Sequence, residues 1–420
     1  MAETIETLEI VALDSRADGV AENGAAVPGA LPGERARVQA NGERNDLLEI
    51  VRESPDRAAP FCPWFGTCGG CAAQHMSERL YRDWKRGLVV DALARMQVEA
   101  EVGPLIDAHG AGRRRATFHA RFPYAEQDEV GFMRARSHAV VSIGACPLFA
   151  PSMAGAVAAA RALAADLRGL SKPLDIGVTA TLDGLDVDLR GSGPLGPVET
   201  RKLVRTADAL DLARVSNHGA AVLERRRPRV AFGATLVAPP PGGFLQATEA
   251  GEECLAAIAE EALTGARRVA DLFCGAGAFA LRFARAHDVF AADSDSAAIA
   301  ALARTGGEAR GLKTVAVEAR DLFRRPLGAG ELSAFDGALF DPPRAGAEAQ
   351  ARELARSALP LVVAVSCNGA TFARDAKILI EGGFRVEKVA PIDQFRYSSH
   401  VEIAAVFRRK AKPRARRLLG

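Results

Sequence analysis

Five of the seven cysteines in this 420-residue chain stand where a thiol can do chemistry. The stretch CPWFGTCGGC places Cys62, Cys68 and Cys71 with five and two residues between them, and Cys146 follows in GACPLF. Three clustered thiols and a distant fourth ahead of a proline suit an iron–sulfur cluster. Four thiolates also suit zinc, although structural zinc more often draws on two close cysteine pairs. Unliganded cysteines are the third reading. Cys367 is a different case. The apolar run Leu361-Val362-Val363-Ala364-Val365 reads as a short buried strand, and the thiol lies where the chain leaves it, between Ser366 and Asn368. A free cysteine usually behaves as a small core hydrophobe. At the mouth of a parallel sheet it can instead be a nucleophile.

The residues around that mouth decide between the two. An apolar strand over Val269–Phe273 runs into Gly275-Ala276-Gly277 and then a helical stretch, and a second strand, HDVFAAD, ends in Asp293. Glycines there let the backbone approach a ligand at a helix N-terminus, and an acid roughly 20 residues on binds a ribose hydroxyl. The third glycine of a dinucleotide fingerprint is missing, since position 280 is Ala. DLFCGAGAF resembles instead the first motif of class I S-adenosylmethionine methyltransferases. FDGALFDPPRAG then puts Asp341 after a fourth strand, with Cys367 after a fifth. Ligands of open α/β sheets bind beyond the carboxyl ends of the strands, so Asp341, Cys367 and the cofactor are expected in one crevice.

The elements that must position these groups fall into three textures. Residues 1–55 hold short β-like runs broken by Gly, Pro and a turn signal at Asn23-Gly24, which predicts a small closed barrel of OB type. Residues 56–243 are mixed α+β. They carry an amphipathic helix over 77–96, with Leu80, Trp84, Leu88, Ala92 and Met96 at helical spacing and free to pack on the next domain. They also carry a hairpin around Asp183-Gly184. Residues 244–420 alternate strands and Ala-rich helices, the pattern of a doubly wound, Rossmann-like α/β sheet.

The length calls for two or three domains, and no stretch approaches the roughly 20 apolar residues of a membrane span. The opening MAETIETLEI lacks the basic-then-apolar pattern of a secretion signal, so a cytoplasmic protein with reduced cysteines is expected. Net charge is only +2, but basic residues gather at 112–122, at 225–229 and after Phe407. Three clusters in a nearly neutral chain point to a polyanion partner.

CPWFGTCGGCAAQH, GGFLQATEAG, DLFCGAGAF, DPPRAG, SCNGATFARD and DQFRYSSHVE recur in that order in the uridine-C5 RNA methyltransferases, which the chain resembles over nearly its full length. It looks most like the bacterial 23S ribosomal RNA (RlmD-type) branch. That resemblance implies an N-terminal TRAM barrel, a 4Fe-4S cluster on Cys62, Cys68, Cys71 and Cys146, and S-adenosyl-L-methionine as methyl donor. Cys367 matches the nucleophile and Glu402 the base that removes the C5 proton. Gln246 matches a residue touching both uracil and cofactor, and Phe244 is a stacking candidate for the base. Phe273, Gly275, Gly277, Asp293, Asp321 and Asp341 fall at cofactor positions. RNA is the implied partner, without DNA or membrane, for a monomeric enzyme. Ala278, Asp293, Asp321, Thr248, Arg396 and Ser398 depart from the residues familiar at those places.

The chemistry calls for this set. Uracil C5 is too weak a nucleophile to take a methyl group unaided, and a thiolate adding to C6 makes it an enolate. A base must then remove the C5 proton so that the thiol can leave. The rivals fit less well. A transfer-RNA uridine methyltransferase shares the chemistry, but that branch lacks the barrel and the cluster cysteines. A cytosine-C5 RNA methyltransferase adds a second cysteine beside the proline of the fourth-strand motif, and Asp-Pro-Pro-Arg has none. An amino-group methyltransferase leaves SCN unexplained. A catalytically inactive RNA-binding assembly protein has no use for Cys367, Glu402 and the glycines together.

Overall fold

The computed structural model describes residues 5–41, 44–124 and 127–409. Strands Ile5–Leu13, Asp18–Ala21, Ala26–Pro28, Arg35–Asn41 and Arg44–Arg52 close into a barrel filled by Leu8, Ile10, Val27, Ala36 and Val38. The turn expected at Asn23-Gly24 is present. Gly24 takes φ +83°, a conformation that strains any side chain, and its N–H donates to Ala21 O at 2.8 Å. The barrel is tied to the following segment by the wholly buried Glu34. Its carboxylate accepts from Arg57 Nε at 2.5 Å and from the Leu31 N–H at 2.7 Å.

The middle of the chain builds a seven-stranded sheet. Its spatial order is Ala220–Glu224, Arg214–Asn217, Gly184–Arg190, Leu174–Thr181, Arg115–Tyr124, Gln127–Met133 and Val140–Ser142. Helices Ala156–Leu167 and Pro197–Ala209 pack against it and against each other. The predicted hairpin closes with Thr181 paired to Gly184.

The last part is an α/β sheet of strands β1 (Arg268–Leu272), β2 (Asp288–Asp293), β3 (Val315–Ala319), β4 (Gly337–Phe340), β5 (Leu361–Ser366), β6 (Phe384–Asp393) and β7 (Glu402–Arg409). Their order is β3-β2-β1-β4-β5-β7-β6, with Ile106–Asp107 added at the β6 edge. β1 to β5 run parallel and β7 runs antiparallel between β5 and β6. Every residue of β4 and β5 is buried, as expected of parallel strands covered on both faces.

Helix α1 (Glu78–Arg95) starts where Ser77 Oγ accepts from the Leu80 N–H at 3.2 Å. Its buried face overlaps the one the sequence pattern suggests. Tyr81, Trp84, Lys85, Val89, Ala92 and Leu93 are buried, while Leu80, Leu88 and Met96 pack partly buried against the same core. The helix serves two neighbours. It packs on helix α2 (Gly369–Glu381), which follows Cys367, and Trp84 Nε1 donates to Asp14 O of the barrel at 2.9 Å.

In two of the three basic runs most arginines are already paired within the fold. Arg114 pairs with the wholly buried Glu252 at 2.5 Å, and Arg115 donates to Leu245 O at 2.8 Å. Arg225, Arg226 and Arg229 are each 2.7 Å from a carboxylate, those of Asp208, Asp211 and Asp183. The tail from residue 410 lies outside the described residues. No helix among the described residues is long and apolar enough to cross a membrane.

Candidate active site

The register of the sheet brings the chemistry together. Leu272 pairs with Phe340, Phe340 with Ala364, and Ser366 with Ile403. One step beyond those pairs Phe273 lies beside Asp341 and Cys367 lies opposite Glu402, with Cys367 two residues past Val365, the neighbour of Asp341, at the carboxyl edge. Asn368 caps helix α2, its Oδ1 accepting from the Ala370 N–H at 3.0 Å, which fixes the turn that carries the thiol.

Beneath this edge runs a continuous chain of side-chain hydrogen bonds. Gln246 Nε2 donates to Asp341 Oδ2 at 2.9 Å. Gln394 Nε2 donates to Gln246 Oε1 and to Glu402 Oε2, both at 2.8 Å, while its Oε1 accepts from the Ala247 N–H at 3.1 Å. Burial pushes Glu402 up to about 7, against the Gln394 hydrogen bond and the charges of Arg344 and Lys85. Asp341 is raised well above the carboxylate range by burial, then by Glu402 and Asp271. Cys367 is pushed up to about 11 by burial and by the same two carboxylates, Glu402 and Asp341, with Arg344 pulling the other way. Two acids and a thiol held close to protonation in one buried site are what acid–base work near neutral pH requires.

The loop 394–401 that delivers Glu402 is held from below by α1. Lys85 Nζ, fully buried, lies 2.9 Å from Asp393 Oδ1 and donates to Ser398 O (3.0 Å), Phe395 O (3.2 Å) and His400 O. Tyr81 Oη donates to Asp393 Oδ2 at 2.5 Å and accepts from the Tyr397 N–H at 2.8 Å. Tyr397 sits at φ +62°, and its carbonyl accepts from the N–H groups of Ala72 (2.6 Å) and Ala73 (3.1 Å), next to Cys71. Arg344 Nη2 donates to His400 Nε2 at 2.9 Å, and burial with that guanidinium holds His400 neutral, at about 4.

Residues that depart from the familiar pattern have local partners. Arg396 pairs with Glu78 (3.2 Å) and Asp107 (3.3 Å). Ser398 Oγ accepts from the His400 N–H at 3.2 Å. Thr248 Oγ1 donates to Ala108 O at 2.6 Å and caps the helix Glu249–Leu263.

The crevice at β1 fits a cationic nucleoside cofactor. Asp293 Oδ2 accepts from the Gly275 N–H at 2.9 Å. A side chain on Gly275 would meet nothing within 4 Å, whereas one on Gly277 would lie 2.4 Å from Leu302, so the loop is tight on the protein side and open on the other. Phe273 is held at φ +62°, the kind of strain that accumulates at ligand sites. Its ring lies 5.4 Å from that of half-exposed Phe323. Asp271 is wholly buried beneath the loop, and burial pushes it up to about 8, against a backbone hydrogen bond from Ala280. A buried acid beside a glycine loop and Asp293 suits a cofactor that carries ammonium and sulfonium charges. Asp321 spends its Oδ1 on its own turn, accepting from the Phe323 N–H at 3.0 Å. Phe244 is 66% exposed, with the Arg115 guanidinium 5.0 Å from its ring centre.

Sequence reasoning missed Gln394, Lys85, Arg344 and Asp271. Gln394 and Arg344 stand inside the quoted stretches DQFRYSSHVE and DPPRAG, whereas a lysine in an amphipathic helix reads as a surface charge. Cys254 and Cys274 are packing residues of the core around β1.

The four remaining cysteines are free thiols, and no group of three or more His, Cys, Asp or Glu among the described residues is arranged to hold a metal ion. Cys68 Sγ instead accepts from the Gly70 N–H at 3.4 Å. The thiols nonetheless feel one another. Cys71 is pushed up to about 12 by burial and then by Cys146, Cys68 and Cys62. Cys146 is raised by burial, with Cys68 and Cys62 adding to it. The buried amide Nε2 of Gln74, beside Cys71, has no oxygen or nitrogen partner.

Comparison with known proteins agrees with this geometry. A family profile described as tRNA (Uracil-5-)-methyltransferase matches residues 242–410. An uncharacterized RNA methyltransferase of Brucella suis is 46% identical over 380 residues, 90% of this chain and 91% of that one. The 23S rRNA (uracil(1939)-C(5))-methyltransferase RlmD of Salmonella typhimurium is 32% identical over 427 residues, 96% of each chain. Among solved structures, the Pyrococcus abyssi tRNA (uracil-54, C5)-methyltransferase with S-adenosyl-L-homocysteine superposes with a TM-score of 0.72 at 22% identity. It covers 96% of this chain and 99% of its own, and shows the same class I methyltransferase fold. The chain belongs to the S-adenosylmethionine-dependent RNA uracil-C5 methyltransferase family.

Proposed function

We propose that the enzyme methylates C5 of a uridine in 23S ribosomal RNA, in the cytoplasm, with Cys367 as nucleophile and Glu402 as base. The observation that carries this is Cys367 opposite a buried Glu402, which is linked through Gln394 and Gln246 to Asp341. Bound S-adenosylmethionine supplies an electrophilic methyl group on a sulfonium. Cys367, as thiolate, adds to C6 of a uridine turned out of its stack, and C5 becomes the nucleophile. Gln246 and Asp341 hold the ring edge and the crevice wall. Phe244 stacks on the base or its neighbour. Glu402 takes the C5 proton, and the C6–S bond breaks to restore the free thiol. Arg344 offsets the charge of Glu402 and favours the thiolate.

Phe273, Gly275, Gly277, Asp293 and Asp321 belong to the cofactor side in this reading. The barrel is a TRAM-type RNA-binding module within a division at 1–55, 56–243 and 244–420. Cys62, Cys68, Cys71 and Cys146 hold a 4Fe-4S cluster. Their donor chemistry supports it, because iron removes the cost that burial places on the thiolates of Cys68, Cys71 and Cys146. Full-length relatedness to a ribosomal RNA enzyme supports that substrate over transfer RNA. Mapping 5-methyluridine in both RNAs from cells with and without the gene tests it. Loss at one ribosomal position is expected, and loss confined to transfer RNA would overturn the ribosomal assignment.

A further inference from the structure

A cavity of about 510 Å³ opens beside Cys367, and neither Glu402 nor Gln246 lines it. That is within the usual size of a ligand site, roughly 300–1,000 Å³, and more than one flat pyrimidine fills. One wall is apolar, made by Leu88 and Ala92 of α1 and by Met96, which caps its C-terminus. Arg95 and Arg344 contribute guanidinium groups, and no carboxylate lines the space. Arg95 has no ion pair or hydrogen bond among the described residues, unlike Arg225, Arg226 and Arg229. Arg344 is committed only through one nitrogen, to His400. Ser15 closes the rim from the barrel turn that Trp84 holds through Asp14 O. Three separate parts of the chain thus converge on a space beside the nucleophile.

We infer that this cavity is a subsite for the nucleotide adjoining the target uridine, with its phosphate between Arg95 and Arg344 and its base on Leu88, Ala92 and Met96. The inference rests on the RNA methyltransferase reading. The target ring must lie between Cys367 and Glu402, so the cavity beyond Cys367 falls to the next residue along the strand. An apolar shelf beside unpaired cations matches the two faces of a nucleotide, stacking surface and anion. It also gives the barrel a place at the reaction centre, through Ser15.

The test uses full-length protein and a labelled single-stranded RNA nonamer with one central uridine. Binding is followed by anisotropy across a salt series. Arg95→Ala should lower the slope of log Kd against log salt by about one unit, and should raise KM about 10-fold for total RNA from cells lacking the gene, with kcat unchanged. An abasic site at one neighbour of the uridine should weaken binding to wild-type protein and have no further effect on Met96→Ser. Retained S-adenosylhomocysteine binding and melting temperature certify the fold of each variant. An unchanged slope and KM in Arg95→Ala, or indifference to abasic sites on both sides, would overturn the subsite while methylation itself stands. Failure of wild-type protein to methylate any RNA would sink the function instead.

Discussion

The Gln394 amide donates to the Glu402 carboxylate at 2.8 Å and spends its second proton on Gln246 at the same distance. The proposed base and the residue proposed to touch the substrate are therefore oriented by one side chain. A hydrogen bond to a charged group contributes roughly 1.5–3 kcal/mol. Gln394→Leu should accordingly lower kcat about 10- to 100-fold, with RNA affinity unchanged. Steady-state kinetics beside a binding titration would show it. An unaltered kcat would mean that Glu402 is oriented by other means.

Cys367→Ala and Glu402→Gln should fail differently. Without the thiol, neither methylation nor a covalent RNA complex forms. Without the base, addition and methyl transfer still proceed, but the C5 proton stays and the adduct cannot eliminate. The Glu402→Gln protein should accumulate a methylated RNA complex that survives denaturing gels and depends on S-adenosylmethionine. Normal turnover would return Glu402 to a structural role and direct attention to Asp341 or His400.

Acidity gives a further check. Glu402 titrates at about 7 instead of its ordinary 4.5, because the fold disfavours its charge. The base works only when ionised, so the rate of C5 proton removal should rise with pH through about 7. For stability the sign is opposite. The folded state binds the proton more tightly than the unfolded chain, so stability falls as pH rises from about 4.5 to about 7. Glu402→Gln removes that dependence. Its melting temperature should gain on wild type between pH 5 and pH 8, and a constant difference would contradict the buried, high-titrating carboxyl.

Lys85 is the buried ion that anchors the loop. Breaking a buried pair by removing one partner costs about 3–5 kcal/mol. Lys85→Met should lower the urea midpoint by a corresponding amount and cut kcat beyond what the lost stability explains, because Phe395, Ser398 and His400 lose a shared donor. Full activity in folded Lys85→Met protein would show that the loop holds its own shape.

Protein purified without oxygen should carry iron and acid-labile sulfide, and replacing Cys62, Cys68, Cys71 and Cys146 together should abolish both. One equivalent of zinc with no sulfide would decide for the other four-thiolate chemistry.

Much of this was legible in the sequence because strand ends announce themselves. An apolar run followed by Gly-x-Gly, Asp-Pro-Pro or Ser-Cys-Asn marks where a parallel sheet stops and a ligand begins, and Phe273, Asp341 and Cys367 lie along that edge. Long-range polar partnerships carry no such mark. Nothing local in SERLYRDWKRGL says that Lys85 meets Asp393, or that α1 turns Leu88 and Met96 toward the nucleophile. Most arginines of 112–122 and 225–229 are likewise paired within the fold, although the polyanion partner they suggested agrees with membership of an RNA methyltransferase family. Charge runs look solvated until the fold supplies Glu252, Asp208, Asp211 and Asp183.

The Tyr397 carbonyl, taking hydrogen bonds from Ala72 and Ala73 while its own residue sits in a left-handed turn, makes the cysteine segment and the methyl-transfer loop one fulcrum. The two are not interchangeable modules. A chimera that imports the 60–75 segment from a relative has to preserve the spacing from Cys71 to Ala73 and a residue tolerant of φ +62° at 397.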